Sequence, residues 1–311
     1  MRTDEIRIGT RGSSLALYQA NWVKQCLEDK YPHLTVTLKK IKTKGDKILD
    51  SPLAKIGGKG LFVKEIEDAL LRKDIDIAVH SMKDVPTEIP SRLHIAAIPE
   101  RDDPRDACIS RNGVPFAKLA SGARVGTSSL RRQAQLIGLR PDLVYTTLRG
   151  NLDTRIRKLT DGQFDAIIVA MAGLKRLKME ARATEVLSPE VFLPAIGQGA
   201  LAIESRRDDA RITELISFFD HHPTRIAVAA ERAFLRRLGG GCQVPIAAHG
   251  VLNGSSLTLT GLVASVDGKQ RVKARSQRSV PDIQAAEKMG SDLADMLLTQ
   301  GAQGILSTIY K

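Results

Sequence analysis

Short apolar runs that each end in a polar cluster, separated by runs of helical period, constrain the fold of this chain more than any other feature. Residues 6–9 read as a strand that empties into Thr10-Arg11-Gly12-Ser13. Ser13 or Ser14 then caps a helix whose apolar face carries Ala16, Ala20, Val23 and Leu27. Val36 and Leu38 alternate with polar residues as a second strand, and Phe62, Ile66 and Leu70 mark one face of a helix over 61–72. A strand over 75–79 breaks into His80-Ser81-Met82-Lys83-Asp84-Val85-Pro86-Thr87, and 93–98 is another strand. Strands alternating with helices predict an α/β domain with a largely parallel sheet. Residues 42–60, rich in lysine and glycine, read as a mobile basic surface loop.

The charged segment 99–106, which holds Pro99 and Pro104, reads as a crossing into a second α/β unit. There a strand over 123–126 opens through Thr127-Ser128-Ser129 into a helix ending at Leu139. A strand over 143–148 ends in Arg149-Gly150-Asn151, with Asn151 capping the next helix. A strand over 165–170 precedes Gly173-Leu174-Lys175-Arg176. Residues 193–199 read as a second crossing. From about Thr224 the style changes to one helix, three strand-like runs joined by Asn253-Gly254 and Asp267-Gly268, and a last helix over 282–298. Such dipeptides are strong hairpin signals, so this part is a small α+β domain with an antiparallel sheet.

The polar clusters carry the chemistry. In open α/β sheets, ligands sit at the C-terminal ends of strands, where helix N-termini point their amides. Arginine grips carboxylate or phosphate with a bidentate fork. A single arginine is ordinarily a solvated surface charge, but basic residues recur here after strand after strand. That repetition predicts one deep cleft for a multiply anionic ligand. Arg155 and Arg157 share one helix, and at least one of them is a candidate for solvent. Asp84 has two readings: a turn residue before Val85-Pro86, or a lone carboxylate among cations that holds a substrate N–H or a developing positive charge.

Leu238-Gly239-Gly240-Gly241-Cys242-Gln243-Val244-Pro245 also has two readings. Glycines let the backbone bend tightly and proline fixes the exit, so the loop presents one thiol. It is either a helix C-cap with a small buried cysteine or a thiol placed to carry something covalently. Three cysteines without CxxC spacing argue against a zinc framework or a disulfide scaffold. His221-His222 lacks partners at metal spacing, so no metal is expected. His249 follows Cys242 by seven residues, a weak indication of Cys–His catalysis. Residues 57–60, Gly-Gly-Lys-Gly, lack the spacing of a phosphate-binding loop.

With 47 Lys and Arg against 35 Asp and Glu, the net charge of +12 favours an anionic partner. Aromatic residues are only 4% and none interleaves with the basic runs, which argues against nucleic acid held by base stacking. The longest apolar run, 166–174, falls far short of the roughly 18 residues that span a bilayer. No signal or transit segment is evident, so no membrane partner is expected and the expected location is the cytoplasm.

Several motifs together resemble one family. Ile8-Gly9-Thr10-Arg11 with Ser13, Gly57-Gly58-Lys59-Gly60-Leu61-Phe62, and His80-Ser81-Met82-Lys83-Asp84-Val85-Pro86 are similar to hydroxymethylbilane synthase, also called porphobilinogen deaminase. So are Gly126-Thr127-Ser128-Ser129-Leu130-Arg131-Arg132, Arg149-Gly150-Asn151, Gln198-Gly199 and Gly240-Gly241-Cys242, in order over nearly the whole chain. The resemblance implies two domains like type II periplasmic binding proteins with the active cleft between them, plus the small C-terminal domain. Its boundaries would be 1–99 with 200–220, 100–199, and 221–311, the chain returning to the first domain after Gln198.

The family joins four porphobilinogen units into the linear tetrapyrrole hydroxymethylbilane, releasing four ammonia molecules. By resemblance, Cys242 carries a dipyrromethane cofactor as a thioether, a primer that is kept. Lys83, Asp84, Ser129, Arg131 and Arg132 would hold that cofactor. Arg11, Ser13, Arg149, Arg155, Arg176 and Gln198 would bind substrate, since each pyrrole carries an acetate and a propionate. Asp84 would be the catalytic carboxylate, binding pyrrole N–H groups and stabilising the cationic azafulvene formed as ammonia leaves. Cys26 and Cys108 acquire no role, and a monomer is expected. The competing classes, a basic nucleic-acid-binding protein and a ligand sensor, both require an unmodified Cys242.

Overall fold

The structure, a computed structural model, describes residues 5–47, 60–240 and 244–309. It divides into two compact units, Met1–Arg101 with Ala200–Thr224 (unit 1) and Asp102–Gly199 with Arg225–Lys311 (unit 2).

Unit 1 contains β1 (Glu5–Thr10), α1 (Ser14–Lys30), β2 (Thr35–Lys40), α2 (Lys64–Leu71), β3 (Ile77–Ser81) and β4 (Leu93–Ala97). After the excursion through residues 102–199 the chain returns as β10 (Leu201–Arg206) and α6 (Ala210–Ile216). The strand order is β2-β1-β3-β10-β4, with β1, β2 and β3 parallel and β10 antiparallel to both neighbours. Alternation splits β3: Ile77 and Val79 join Ile6, Ile8, Val23 and Leu27 in one core, while Ala78 joins Ile66, Leu70 and Leu93 in another. The first turn of α1 is tied by the Ser13 hydroxyl, which accepts from the Ala16 amide, a cap worth about 1 kcal/mol.

Unit 2 repeats the plan with β5 (Asp106–Ser110), β6 (Arg124–Gly126), α3 (Leu130–Leu139), β7 (Val144–Thr146), α4 (Leu152–Thr160), β8 (Ala166–Ala170), α5 (Met171–Arg176) and β9 (Glu185–Val186). The order is β7-β6-β8-β5-β9, again a parallel trio followed by an antiparallel strand. Ser129 and Asn151 cap α3 and α4 through their side chains. The same unit holds most of α7 (His222–Arg237), then β11 (Ile246–Asn253), β12 (Ser256–Ala264), β13 (Arg271–Ser279), α8 (Ile283–Leu297) and α9 (Gln303–Ile309). The three strands form an antiparallel sheet whose turns carry Gly254 and Gly268 at positive φ, as the Asn-Gly and Asp-Gly pairs require. Phe234, Leu257, Leu259, Met289 and Leu293 are at the centre of its core.

The α/β class expected from the sequence is therefore the one observed: two five-stranded sheets with helices and a small antiparallel three-stranded sheet. The largely parallel character holds, because only β10 and β5 run against the other strands of their sheets; both follow the crossings, at 201–206 and 106–110. One expectation needs correction. Part of the supposed surface loop over 42–60 is packed: Lys44–Lys47 is a helical turn, and Thr43 and Gly45 are buried. Residues 48–59 lie outside the described residues.

Candidate active site

In unit 1 the end of β1 delivers Arg11, the start of α1 delivers Ser13, and the end of β3 delivers Ser81, Lys83 and Asp84. Arg11, Ser13, Gln19, Phe62, His80 and Asp84 line one small cavity. Arg11 grips the Asp46 carboxylate, with Nε 3.1 Å and Nη2 2.5 Å from Oδ1, and its guanidinium lies 4.3 Å from the centre of the Phe62 ring. Burial pushes the Asp46 carboxyl up, but bonds from Arg11 and Thr43 outweigh it and hold it below the ordinary range. The Ser81 hydroxyl accepts from Gln19 Nε2 at 3.0 Å. Among the described residues, the Asp84 carboxylate has no hydrogen-bond or ion-pair partner, so it is open to whatever enters the cavity.

In unit 2 the organising group is Asp106, fully buried at the start of β5. Its Oδ1 accepts from Arg132 Nε at 2.9 Å, Arg132 Nη2 at 2.6 Å and Gln198 Nε2 at 3.1 Å, while Oδ2 faces Arg131 Nη1 at 2.8 Å. Arg131 also donates to the Leu193 carbonyl and Arg132 to the Ile168 carbonyl. Burial pushes the Asp106 carboxyl up, yet the two guanidiniums prevail and hold it at about 2. One carboxylate thus faces two arginines, each about 5–6% exposed, which leaves a surplus positive charge in a dry place. Arg131 Nε is buried with no hydrogen-bond partner among the described residues.

The other predicted residues of unit 2 spread along the ends of its strands. Ser129 lies one turn before Arg132, whose amide its hydroxyl accepts. Arg155 is half-buried and donates from Nε to the Gly150 carbonyl at 2.8 Å, whereas Arg157 is exposed. Arg149 follows β7, and its guanidinium bonds to no described residue. Arg176 donates to the Gly199 carbonyl at 2.6 Å and, with Lys175, faces Asp102. Gly199 sits at φ +89°, and a Cβ there would lie 2.3 Å from the Asp102 carbonyl oxygen, so only glycine lets these two ends of unit 2 meet. Cys242 lies outside the described residues. Cys108 is buried, which pushes its thiol up to about 12, and burial raises the Cys26 thiol as well.

Sequence reasoning missed Asp46, Asp102 and Asp106, the carboxylates that hold the arginines. The only signal was an aspartate next to each basic cluster's partner segment, and in 99–106 that looked like linker polarity. Among the described residues there is no cluster of three or more metal-ligating side chains. No described helix is long and apolar enough to cross a membrane.

Arginines thus gather on the segments that follow the parallel strands of an α/β protein, two of them in a buried two-to-one arrangement over one carboxylate. A sequence profile described as "Porphobilinogen deaminase, dipyromethane cofactor binding domain" matches residues 6–214, and one described as "Porphobilinogen deaminase, C-terminal domain" matches 225–299. The chain is 60% identical over 311 residues to a porphobilinogen deaminase of Geobacter sulfurreducens, covering 100% of this chain and 96% of the relative. It is 59% identical over 307 residues to that of Pelobacter propionicus, covering 99% and 98%. Solved structures that match at low similarity include the periplasmic aliphatic sulphonate binding protein SsuA from Escherichia coli, with a TM-score of 0.41 and 14% identity over 95% of this chain and 88% of that one. The methionine binding protein MetQ has a TM-score of 0.40 and 16% identity over 70% and 90%. The chain belongs to the porphobilinogen deaminase family.

Proposed function

We propose that this chain is a transferase that deaminates porphobilinogen and joins four units head to tail into hydroxymethylbilane. The growing chain would be held on a dipyrromethane attached to Cys242. The observation that carries this reading is the Arg131–Arg132–Asp106 cluster. A buried surplus of positive charge with an unpartnered guanidinium nitrogen fits an anionic resident group, and a dipyrromethane bears carboxylates.

When bound, that group supplies the nucleophilic pyrrole end to which units are added. The protein's own residues do the rest. Arg131 and Arg132, their forks fixed by Asp106 and the Leu193 and Ile168 carbonyls, hold carboxylates without having to reorganise. Ser129 and Lys83 assist them. Arg11, Ser13, Arg149, Arg155, Arg176 and Gln198 bind the carboxylates of incoming substrate. Most of these have structural duties besides: Arg11 grips Asp46, Arg155 and Arg176 donate to the Gly150 and Gly199 carbonyls, Gln198 donates to the Pro104 carbonyl at 2.7 Å, and Ser13 caps α1. Asp84, without a partner among the described residues, accepts pyrrole N–H groups and offsets the positive charge that develops as ammonia departs.

The same reading assigns three domains, 1–99 with 200–220, 100–199 and 221–311, in a monomer of the cytoplasm with no nucleic-acid partner. The experiment is intact-mass analysis after limiting porphobilinogen. The resting protein should exceed its sequence mass by two pyrrole units, and substrate should add a ladder of single units. Cys242→Ser should lose both, and Asp84→Asn should keep the resting mass while the ladder forms roughly 10²–10⁴-fold more slowly. An unmodified wild-type mass, or a ladder in Asp84→Asn at the wild-type rate, would refute the assignment.

A further inference from the structure

Beneath the Asp84 cavity lies a buried group of acids that this scheme leaves without a task. His80, on β3, lines the cavity and is 5% exposed; its Nε2 is 2.9 Å from Oε2 of Glu204, which is on β10 and wholly buried. Register places His80 opposite Ala202 and Glu204 opposite Ala78, so both side chains leave the face of the sheet on which α2 packs. From α2 comes Glu67, 8% exposed. Glu67 Oε1 and Glu204 Oε1 are both buried with no hydrogen-bond partner among the described residues.

The surroundings offer little compensation. Arg206, two residues along β10, directs its guanidinium to the Leu70 and Ile75 carbonyls and to Asp76 and Asp209. Asp68 on α2 adds a further negative charge, and β4 places Ile95 opposite Glu204. On the cavity side stand Arg11, already engaged by Asp46, and Asp84. Two carboxylates and one imidazole therefore share a dry pocket that tolerates full ionisation poorly.

We infer that Glu67 is a positioning residue for the Asp84 cavity: a proton held on its carboxyl, felt through Glu204 and His80, sets the charge at the cavity floor and with it the affinity for an anionic substrate. This rests on the functional reading above. The electrostatics agree with the geometry. Burial and the charge of Glu204 push the Glu67 carboxyl up to about 7, against a smaller downward pull from His80. As pH rises through neutrality the Glu67 proton leaves to water, and a net negative charge is added behind the cavity.

The test combines steady-state porphobilinogen kinetics from pH 6 to 9 with NMR of the His80 ring, whose signal is identified by its loss in His80→Asn. In the wild type, KM should rise about three- to tenfold across neutrality while kcat changes less, the effect expected of one added charge about 10 Å from an anion in a partly shielded site. The His80 signal should shift over the same interval. Glu67→Gln, which cannot ionise, should flatten the KM profile and remove the shift, and Glu204→Gln, which takes away the charge that raises Glu67, should carry both transitions to lower pH. If Glu67→Gln fails to fold, Glu204→Gln carries both arms. Superimposed KM profiles for an active wild type and Glu67→Gln, a His80 shift that survives in Glu67→Gln, or transitions left unmoved in Glu204→Gln overturn the inference. A wild type that does not consume porphobilinogen refutes the functional reading instead.

Discussion

Replacing Asp106 by asparagine isolates the energetics of unit 2. Asparagine keeps the shape and one acceptor, so Arg132 or Gln198 retains a bond. Its amide, however, sets a donor or an uncharged oxygen where Arg131 Nη1 now lies 2.8 Å from Oδ2. Two guanidiniums, about 5–6% exposed, are then left facing no carboxylate in a site closed to water. Breaking a buried pair by removing one partner costs about 3–5 kcal/mol. The acid titration supplies a second figure. A carboxyl at about 2 in the folded protein, against an ordinary 3.8, contributes about 2 kcal/mol. Because the folded value is depressed, that contribution is complete above about pH 4 and is lost as pH falls from 3.8 through about 2.

The assay uses the chain's single tryptophan, Trp22, which lies in unit 1 and packs 5.7 Å from Phe219. Its fluorescence follows unit 1, whereas far-ultraviolet circular dichroism follows all helices and strands. In urea at pH 7 the Asp106→Asn protein should lose circular dichroism well ahead of tryptophan fluorescence, and the gap from wild type should narrow toward pH 2. Coincident transitions in the variant, with a loss under about 1 kcal/mol, would show that Asp106 is not the group that makes the buried arginines tolerable.

Two further outcomes follow from exposure. Arg149→Leu should lower kcat/KM about 10- to 100-fold, the equivalent of one charge-assisted carboxylate contact, while the exposed Arg157→Leu should stay near wild type; equal effects would erase the distinction between them. A thiol reagent applied to native protein should label Cys26 and spare Cys108, whose thiol is buried and raised to about 12; unfolding should expose Cys108 as well, and rapid native labelling of Cys108 would contradict its burial.

Local chemistry was the legible part of the sequence. Ser13 or Ser14, and Asn151, read as caps because their hydroxyl and amide oxygens compete for helix amides, and Ser13 and Asn151 cap in the structure. The Asn-Gly and Asp-Gly turns read as hairpins for the same kind of local reason. The basic clusters did fall after strands, although Lys175 and Arg176 occupy the last turn of α5 rather than the end of β8. What stayed hidden depends on partners distant in sequence. β10 is buried from end to end, so it shows no alternation, and its Glu204, Ser205 and Arg206 look like surface polarity until His80, His94 and Asp209 are placed beside them. Asp106 was hidden likewise, since only the fold brings Arg131, Arg132 and Gln198 to it. Arg11 was read correctly as a strand-end cation, but its Asp46 partner lay in a stretch whose glycines and lysines signalled an open loop.

The position of β10 in the first sheet bears on how the protein is made. β3 and β4 emerge from the ribosome early, yet the strand that joins them is synthesised only after residues 102–199. Until then β3 and β4 present unpaired edges, the sort that invite pairing with other chains. The other five-stranded sheet has no such wait, because β5 is translated first and the sheet is complete by Val186. The sheet begun second is therefore finished first, and the nascent chain must keep the first sheet's open strands from aggregating until six residues near position 200 arrive to close them.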